Sequence, residues 1–264
     1  MAKWSARRIN RIIRILDAKR YLEIGVEKGS TLTSVRCEQK IGVEPNSAVI
    51  RQENIDPNTH VFSGTSDDFF AQYVGGVFDV VFIDGLHTAE QAFRDFCSTL
   101  PHSHARTIWI IDDVHPTSAL SAEPDLKRLR HLRRRLHSTE TSYHGDVYRA
   151  IVAIDAFLPC LQIRTIMTGG NAQAVIWMPR TKRPRAHPYF DFKEIAHFTF
   201  FDLIENPEVL HPAREADVMA DLALEFGDAG QKRLPVPTVE YRSRVQMASE
   251  TGLVRIPEGV SEQS

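Results

Sequence analysis

Acidic residues directly follow two apolar runs in the first half of the chain. Asp84 follows residues 78–83, and Asp112 and Asp113 follow residues 107–111. Nearly continuous apolar runs are typical of parallel strands buried on both faces, and the ends of neighbouring strands open onto one crevice. Three carboxylates in one crevice repel one another unless a cation lies between them, and Mg²⁺ takes oxygen ligands. We therefore predict that Asp84, Asp112 and Asp113 hold a divalent metal; alternatively, one caps a helix, another holds a cofactor, and no metal binds.

Histidines lie close to both acidic stretches. His87 follows Asp84, and His115 follows Asp113. A metal lowers the pKa of a bound hydroxyl group, and a nearby histidine can accept the released proton. We therefore predict catalytic roles for His87, His115 and Asp113, although a structural or merely polar role for either histidine stays open.

A glycine turn follows an earlier apolar run. Glu23 precedes Gly25, Gly29 comes four residues later, and a second run ends at Glu44. A strand that feeds a glycine turn lets the backbone approach a ligand, and an acid at the tip of the neighbouring strand commonly holds a ribose diol. A dinucleotide site needs three glycines, G-x-G-x-x-G, whereas S-adenosylmethionine has no phosphate and needs carboxylates for its amino and ribose groups. The spacing therefore favours S-adenosylmethionine; alternatively, the glycines only make a strand–helix turn in an unrelated α/β protein.

Polar residues follow the next predicted strand, residues 60–63. Ser66 and Asp67 would lie there near the adenine ring of such a cofactor. Each is also an ordinary loop residue.

Strand and helix patterns alternate along most of the chain. Apolar residues at helical spacing predict a helix over residues 4–17, and Thr88 with Gln91 predicts the start of another. Residues 161–168 and 172–178 predict two antiparallel strands, because only a short glycine turn joins them. The prediction is an α/β fold, with a doubly wound, mostly parallel, seven-stranded Rossmann-like sheet, an antiparallel last strand and a helical C-terminal extension.

These segments together resemble class I S-adenosylmethionine-dependent methyltransferases. Three segments carry the resemblance: Tyr-Leu-Glu-Ile-Gly-Val-x-x-Gly from residue 21, Phe-Asp-Val-Val-Phe-Ile-Asp-Gly-Leu-His-Thr from 78 and Ile-Asp-Asp-Val-His-Pro from 111. They are most similar to a bacterial branch of metal-dependent O-methyltransferases that act on sugars and other natural products. The likeness covers about residues 5–180. We predict residues 1–180 as the S-adenosylmethionine-binding methyltransferase domain and 181–264 as a helical C-terminal extension and peripheral tail.

The resemblance also implies a role for each site residue. The methionine part of the cofactor is expected near Glu23, Gly25 and Gly29, the ribose at Glu44, and adenine near Ser66 and Asp67. Asp84 is expected to contact the cofactor as well as a metal, and Asp112 and Asp113 complete the metal site. The implied reaction is methyl transfer to a hydroxyl group of a small molecule or glycan. The alternatives are a metal-independent N- or C-methyltransferase and a non-catalytic protein that binds S-adenosylmethionine or a nucleotide.

Composition restricts the partners. The 264 residues include 32 basic and 34 acidic side chains, so there is no overall attraction to nucleic acid. Three scattered cysteines fit a reducing, cytoplasmic location, and no signal peptide or transmembrane segment is expected. Residues 125–137 predict a strongly basic helix. Its basic side chains could form a solvated face, bind an acidic acceptor or contact a membrane surface peripherally. The aromatic residues of 189–201 predict a helix that packs on the sheet, walls the acceptor pocket or contacts a second copy in a homo-oligomer.

Overall fold

A computed structural model describes residues 2–49, 56–180 and 191–227. Eight strands form one sheet in the order β3-β2-β1-β4-β5-β7-β6-β8. The strands are β1 (Arg20–Ile24), β2 (Gln39–Glu44), β3 (Thr59–Ser63), β4 (Val80–Ile83), β5 (Ile108–Ile111), β6 (Gln162–Ile166), β7 (Gln173–Trp177) and β8 (Pro212–Ala213). The first five run parallel. The predicted α/β, mostly parallel fold is confirmed.

The last long strand is antiparallel, as predicted. β7 pairs antiparallel with β5 on one side and with β6 on the other. Gly169 and Gly170 make the turn between β6 and β7 with φ of 82° and 108°, a region that favours glycine. The sheet also has an eighth strand that the sequence did not predict: β8 is two residues long and runs parallel to β6.

Nine α-helices occur in the described residues. They are α1 (Ala2–Leu16), α2 (Ser30–Ser34), α3 (Ser66–Gln72), α4 (Ala89–Thr99), α5 (Leu126–Arg135), α6 (Tyr148–Phe157), α7 (Phe192–His197), α8 (Phe200–Glu205) and α9 (Glu215–Phe226). None of these helices is both long and apolar enough to cross a membrane.

Both faces of the sheet are buried, because alternate residues of each central strand enter different cores. Val81 and Ile83 of β4 belong to a core that contains residues of α4 and α6. Val80 and Phe82 belong to a second core that contains residues of α1 and α9. This double burial explains why β4 and β5 are apolar throughout.

The C-terminal region adds to the second core. α9 packs against α1, and its apolar residues Val218, Met219 and Leu222 are buried there. The aromatic stretch is two helices rather than one, because Thr199 caps a new helix in a capping box with Asp202. Tyr189, Phe190 and the part of the predicted tail beyond residue 227 lie outside the described residues. The domain division at residue 180 stays a prediction.

Candidate active site

A cavity of about 660 Å³ opens at the carboxyl ends of the parallel strands. It is lined by most of the residues that the sequence analysis selected: Glu23, Gly25, Glu44, Ser66, Asp67, Asp84, His87, Asp112 and Asp113. The loops after β1 to β5 bring them together, as expected for an open α/β sheet. Gly29 and His115 are not among the lining residues.

Gly25 is required by the backbone of the neighbouring loop. Its φ is +84°, and a Cβ atom at this position would lie 2.0 Å from the carbonyl oxygen of Asp84. A side chain would therefore displace the loop after β4, which carries the predicted metal ligand. Gly29, with φ of +81°, makes the turn before α2, and Ser30 and Thr31 of that helix line the cavity instead.

Glu23 is a buried acid in the cavity wall. Its side chain is almost inaccessible to solvent, and the hydroxyl of Tyr21 donates a hydrogen bond to it at 2.6 Å. Burial raises the pKa of Glu23 to about 8, although the Tyr21 hydrogen bond and the charge of Lys40 oppose this shift.

Glu44 is held at the tip of β2 by the backbone. One carboxylate oxygen accepts a hydrogen bond from the amide of Glu27 at 2.8 Å, and the other accepts one from the amide of Asn46 at 2.9 Å. These bonds orient the carboxylate, and each oxygen has a further lone pair for a ligand hydroxyl.

A polar cluster that the sequence analysis did not select lies beside Ser66. The Ser66 hydroxyl donates to Oδ1 of Asp95 at 2.5 Å, and the Gln91 amide donates to the same oxygen at 2.8 Å. Asp95 lies on the buried stripe of α4 with Ala92, Phe96 and Thr99. An acid within an apolar helical stripe was the sequence signal for this site. Asp67, in contrast, forms an ion pair with Arg94 at the surface at 2.8 Å.

Asp84, His87 and Asp113 form a cluster of possible metal ligands. One ligand atom from each lies within 4.8 Å of the other two. Nε2 of His87 is 3.2 Å from Asp113 Oδ2 and 3.7 Å from Asp84 Oδ1. Asp113 adopts φ of 59°, an uncommon conformation for a residue other than glycine that often marks functional sites.

Burial and mutual repulsion raise the pKa of both acids in this cluster. Burial is the larger cause for Asp113, whose pKa rises to about 8, and the charge of Asp112 adds to it. The pKa of Asp84 is also raised well above its ordinary value, first by burial and then by Asp112 and Asp113. The free site therefore disfavours its ionised form, and a bound cation would reverse this preference.

The loop that contains Tyr143 orients His87. Nδ1 of His87 lies 3.0 Å from the carbonyl oxygen of Tyr143, and the two rings stack with centroids 4.8 Å apart. A carbonyl only accepts, so Nδ1 carries the proton and Nε2 faces Asp84 and Asp113. Gly145 permits this contact, because a Cβ atom there would lie 1.7 Å from the carbonyl oxygen of His87.

Asp112 and His115 lie outside this cluster. The Asp112 carboxylate accepts from the amide of Asp113 at 2.9 Å. Burial raises the pKa of Asp112, and Gln173 of β7 and Ser5 of α1 oppose this shift. His87, rather than Asp112, completes the cluster with Asp84 and Asp113. The side-chain amide of Asn171 donates a hydrogen bond to Asp113 at 2.5 Å. His115 is half-buried, and burial lowers its pKa.

Comparison with known protein families matched residues 22–114 to the family described as "Methyltransferase domain". Residues 22–114 are a methyltransferase domain. The match begins in β1 and ends just after β5, and therefore includes the loops that carry Glu23, Glu44, Asp84 and Asp113. Over these residues, the predicted resemblance to class I S-adenosylmethionine-dependent methyltransferases is confirmed.

Solved structures share the fold of this methyltransferase. A putative O-methyltransferase from Klebsiella pneumoniae is 18% identical, with a TM-score of 0.50 over 67% of this chain and 80% of that chain. The cofactor-bound protein Rv0187 from MTB is 20% identical, with a TM-score of 0.50 over the same shares of the two chains. At these identities the likeness shows the fold. No curated protein matched the chain.

Proposed function

We propose that this methyltransferase moves the methyl group of S-adenosylmethionine to a hydroxyl oxygen of a small molecule or glycan, assisted by a divalent cation. The acidic lining of the cavity carries the proposal. No lysine or arginine of the described residues lines the cavity. Eight acidic residues do: Glu23, Glu27, Glu44, Asp67, Asp84, Asp95, Asp112 and Asp113. Such a cavity suits a ligand with a sulfonium and an ammonium group and repels the pyrophosphate of a dinucleotide.

The cofactor would extend across the strand ends. The Glu44 carboxylate after β2 can accept from a ribose diol, and the buried Glu23 is next to it in the sheet and can face the cationic methionine part. Methyl transfer depends mainly on the alignment of the reacting atoms, since an in-line displacement requires the acceptor oxygen to lie about 3 Å from the methyl carbon.

The residues fit a hard divalent cation such as Mg²⁺ between Asp84 and Asp113. Two carboxylates with raised pKa values and an imidazole whose Nε2 is turned toward them are compatible donors, although imidazole is a softer ligand than Mg²⁺ usually takes. A bound cation would lower the pKa of an acceptor hydroxyl. Asn171 would hold Asp113 in place by its hydrogen bond. The catalytic roles of His87, His115 and Asp113 stay predictions.

Calorimetry and chelation test the proposal together. We expect S-adenosylhomocysteine to bind, and Mg²⁺ or Mn²⁺ to bind more weakly to Asp113→Asn and Asp84→Asn than to the wild type. Asp67→Asn is the matched control, because it removes a carboxylate of the same cavity that pairs with Arg94 outside the cluster. Methyl transfer that survives chelation and the Asp113→Asn change would support the metal-independent alternative. Absence of S-adenosylhomocysteine binding would overturn the proposal.

The finer partner assignments stay predictions. α5 carries the expected basic residues, and Leu129 anchors it to the protein interior. Peripheral contact of this helix with an acidic surface, a homo-oligomeric state, a glycan acceptor and a cytoplasmic location remain proposals.

A further inference from the structure

The segment 143–146 holds His87 at two points. The carbonyl oxygen of Tyr143 accepts a hydrogen bond from Nδ1 of His87 at 3.0 Å, and the Tyr143 ring stacks on the imidazole. Gly145 lies directly against the backbone of His87, where a Cβ atom would be 1.7 Å from the carbonyl oxygen. Both contacts fix the direction of the imidazole. The position of this segment therefore decides whether Nε2 of His87 faces the two acids of the cluster.

Asp146 connects the same segment to the helix that follows His87. Its Oδ1 accepts a hydrogen bond at 2.7 Å from the amide of Ala89, the first residue of α4. The first amides of a helix have no partner within the helix, and a carboxylate there also interacts favourably with the helix dipole. Asp146 is 8% exposed, so water competes little for this bond. One buried carboxylate therefore joins the 143–146 segment to the start of α4.

The other oxygen of Asp146 is engaged on the C-terminal side. Oδ2 accepts from Arg149 at 3.1 Å, and Nε of Arg149 donates to the carbonyl of Phe198, between α7 and α8, at 2.6 Å. Elsewhere along the segment, the carbonyl of Ser121 accepts hydrogen bonds from two successive amides of residues 143–146, both at 2.9 Å. The segment is thus held from several directions, and Asp146 supplies its bond to α4.

We propose that Asp146 is a positioning residue, which fixes residues 143–146 onto the start of α4 and so sets the orientation of His87. Asp146 is not among the residues that line the cavity, so it acts through His87. This inference rests on the proposed function, because an oriented Nε2 serves the cation that the cluster would hold. Groups that orient a metal ligand commonly raise metal affinity by about 10- to 100-fold.

Asp146→Ala removes the bond to α4 and the partner of Arg149 in one change. The segment would no longer be fixed, and the imidazole of His87 would be free to turn. Ni²⁺ is well suited to imidazole, whereas Mn²⁺ is better suited to carboxylates. Titration calorimetry should therefore show Ni²⁺ binding about 10-fold more weakly to the variant, with a smaller loss for Mn²⁺, so that the ratio of the two dissociation constants changes.

Thr88→Ala is the matched control. The Thr88 hydroxyl accepts from the amide of Gln91 at 3.3 Å and so caps the same end of α4 from within the helix. Loss of this cap should lower the melting temperature by roughly 2–4 °C. The ratio of Ni²⁺ to Mn²⁺ affinity should stay as in the wild type, because the bond between Asp146 and Ala89 is retained.

A spectroscopic measurement follows His87 directly and needs no Asp146 variant. The ¹⁵N NMR spectrum of a neutral imidazole distinguishes a proton on Nδ1 from one on Nε2, and the His87→Gln spectrum assigns the signals. The wild type should carry the proton on Nδ1, which is bonded to Tyr143, and Asp146→Ala should show both tautomers. A wild-type His87 protonated on Nε2 would overturn the inference, even if Asp146→Ala does not fold.

The outcomes separate this inference from the proposed function. If Asp146 only stabilises the fold, Asp146→Ala weakens Ni²⁺ and Mn²⁺ binding equally or not at all, and the unchanged ratio overturns the inference. If neither metal binds the wild type, the metal part of the proposed function fails, while the NMR spectra still test the orientation of His87. Binding of S-adenosylhomocysteine tests the cofactor part separately.

Discussion

At the scale of single residues, several acids of the site have raised pKa values, an unpaired buried oxygen or a strained backbone. Glu23 and Asp113 have pKa values raised to about 8 by burial. Asp95 has an unpaired buried oxygen, and Asp113 has a left-handed backbone. Each feature costs folding free energy, and a cationic ligand would recover part of the cost at Glu23 and Asp113.

Glu23 should make the free protein less stable as the pH rises. Its folded pKa, about 8, lies above the ordinary value of 4.5, so folding favours the protonated acid. The associated stability is fully present below about pH 4.5 and is lost as the pH rises toward 8 and above. In the absence of cofactor, the melting temperature of the wild type relative to Glu23→Gln should therefore fall between pH 5 and pH 9. A difference that does not change with pH would contradict this assignment.

Gly25→Ala should damage both the fold and the site. The added Cβ atom would collide with the Asp84 carbonyl, and φ of +84° is unfavourable for alanine. We expect a loss of roughly 2–4 kcal/mol in the free energy of unfolding and weakened binding of S-adenosylhomocysteine. Gly29→Ala is the control, because Gly29 has a similar φ outside the cavity lining. Its cost should be about 1–2 kcal/mol. Equal binding losses in the two variants would argue against the close packing of Gly25 on Asp84.

At the scale of elements, the N-terminal helix connects the site to the C-terminal region. Arg8 of α1 is 1% exposed and donates to the carbonyl of Thr168 at 2.9 Å, to Glu215 of α9 at 3.1 Å and to the side chain of Gln173. Gln173 in turn donates to Ser5 in the cavity wall. Ser5 and Gln173 both lower the pKa of Asp112 against the effect of burial, so this network of α1 and β7 surrounds the acid that the metal cluster leaves out.

Arg8→Met should therefore destabilise the protein far more than Arg7→Met. Removal of one partner from a buried charged network costs about 3–5 kcal/mol, which corresponds to a melting temperature lower by on the order of 10 °C. Arg7 pairs with the same Glu215, but its side chain is 58% exposed, so its loss should cost less than about 1 kcal/mol. Similar melting temperatures for the two variants would show that the buried hydrogen bonds of Arg8 add no more stability than the exposed ion pair of Arg7.

At the scale of the whole molecule, residues 192–227 complete a core that the first 180 residues leave unfinished. α9 buries Val218, Leu222 and Phe226 in the same core as Ile9 and Ile12 of α1. β8 extends the sheet beyond β6. The described residues all belong to one compact unit.

Two truncations test the domain division predicted at residue 180. A chain that ends at Gly230 should melt cooperatively at nearly the same temperature as the full chain. A chain that ends at Arg180 should aggregate or melt without cooperativity, because the apolar surface of α1 would be exposed. Cooperative melting of the shorter chain, measured by calorimetry, would instead support an independent domain over residues 1–180.

The sequence by itself determined the fold class and most of the cavity lining. Continuous apolar runs mark strands buried on both faces, and acids at their ends share one edge of a parallel sheet, so Asp84, Asp113, Glu23 and Glu44 could be placed by topology alone. Only the tertiary structure decided which way each side chain points. Adjacent residues such as Asp112 and Asp113 diverge, because Asp112 lies beside Ser5 of α1 and Gln173 of β7, whereas Asp113 faces His87. The motifs did not identify Asp95 for the same reason. Its partner Ser66 lies in another segment, and Gln91 lies one helical turn away. Such side-chain contacts depend on packing that local spacing does not encode.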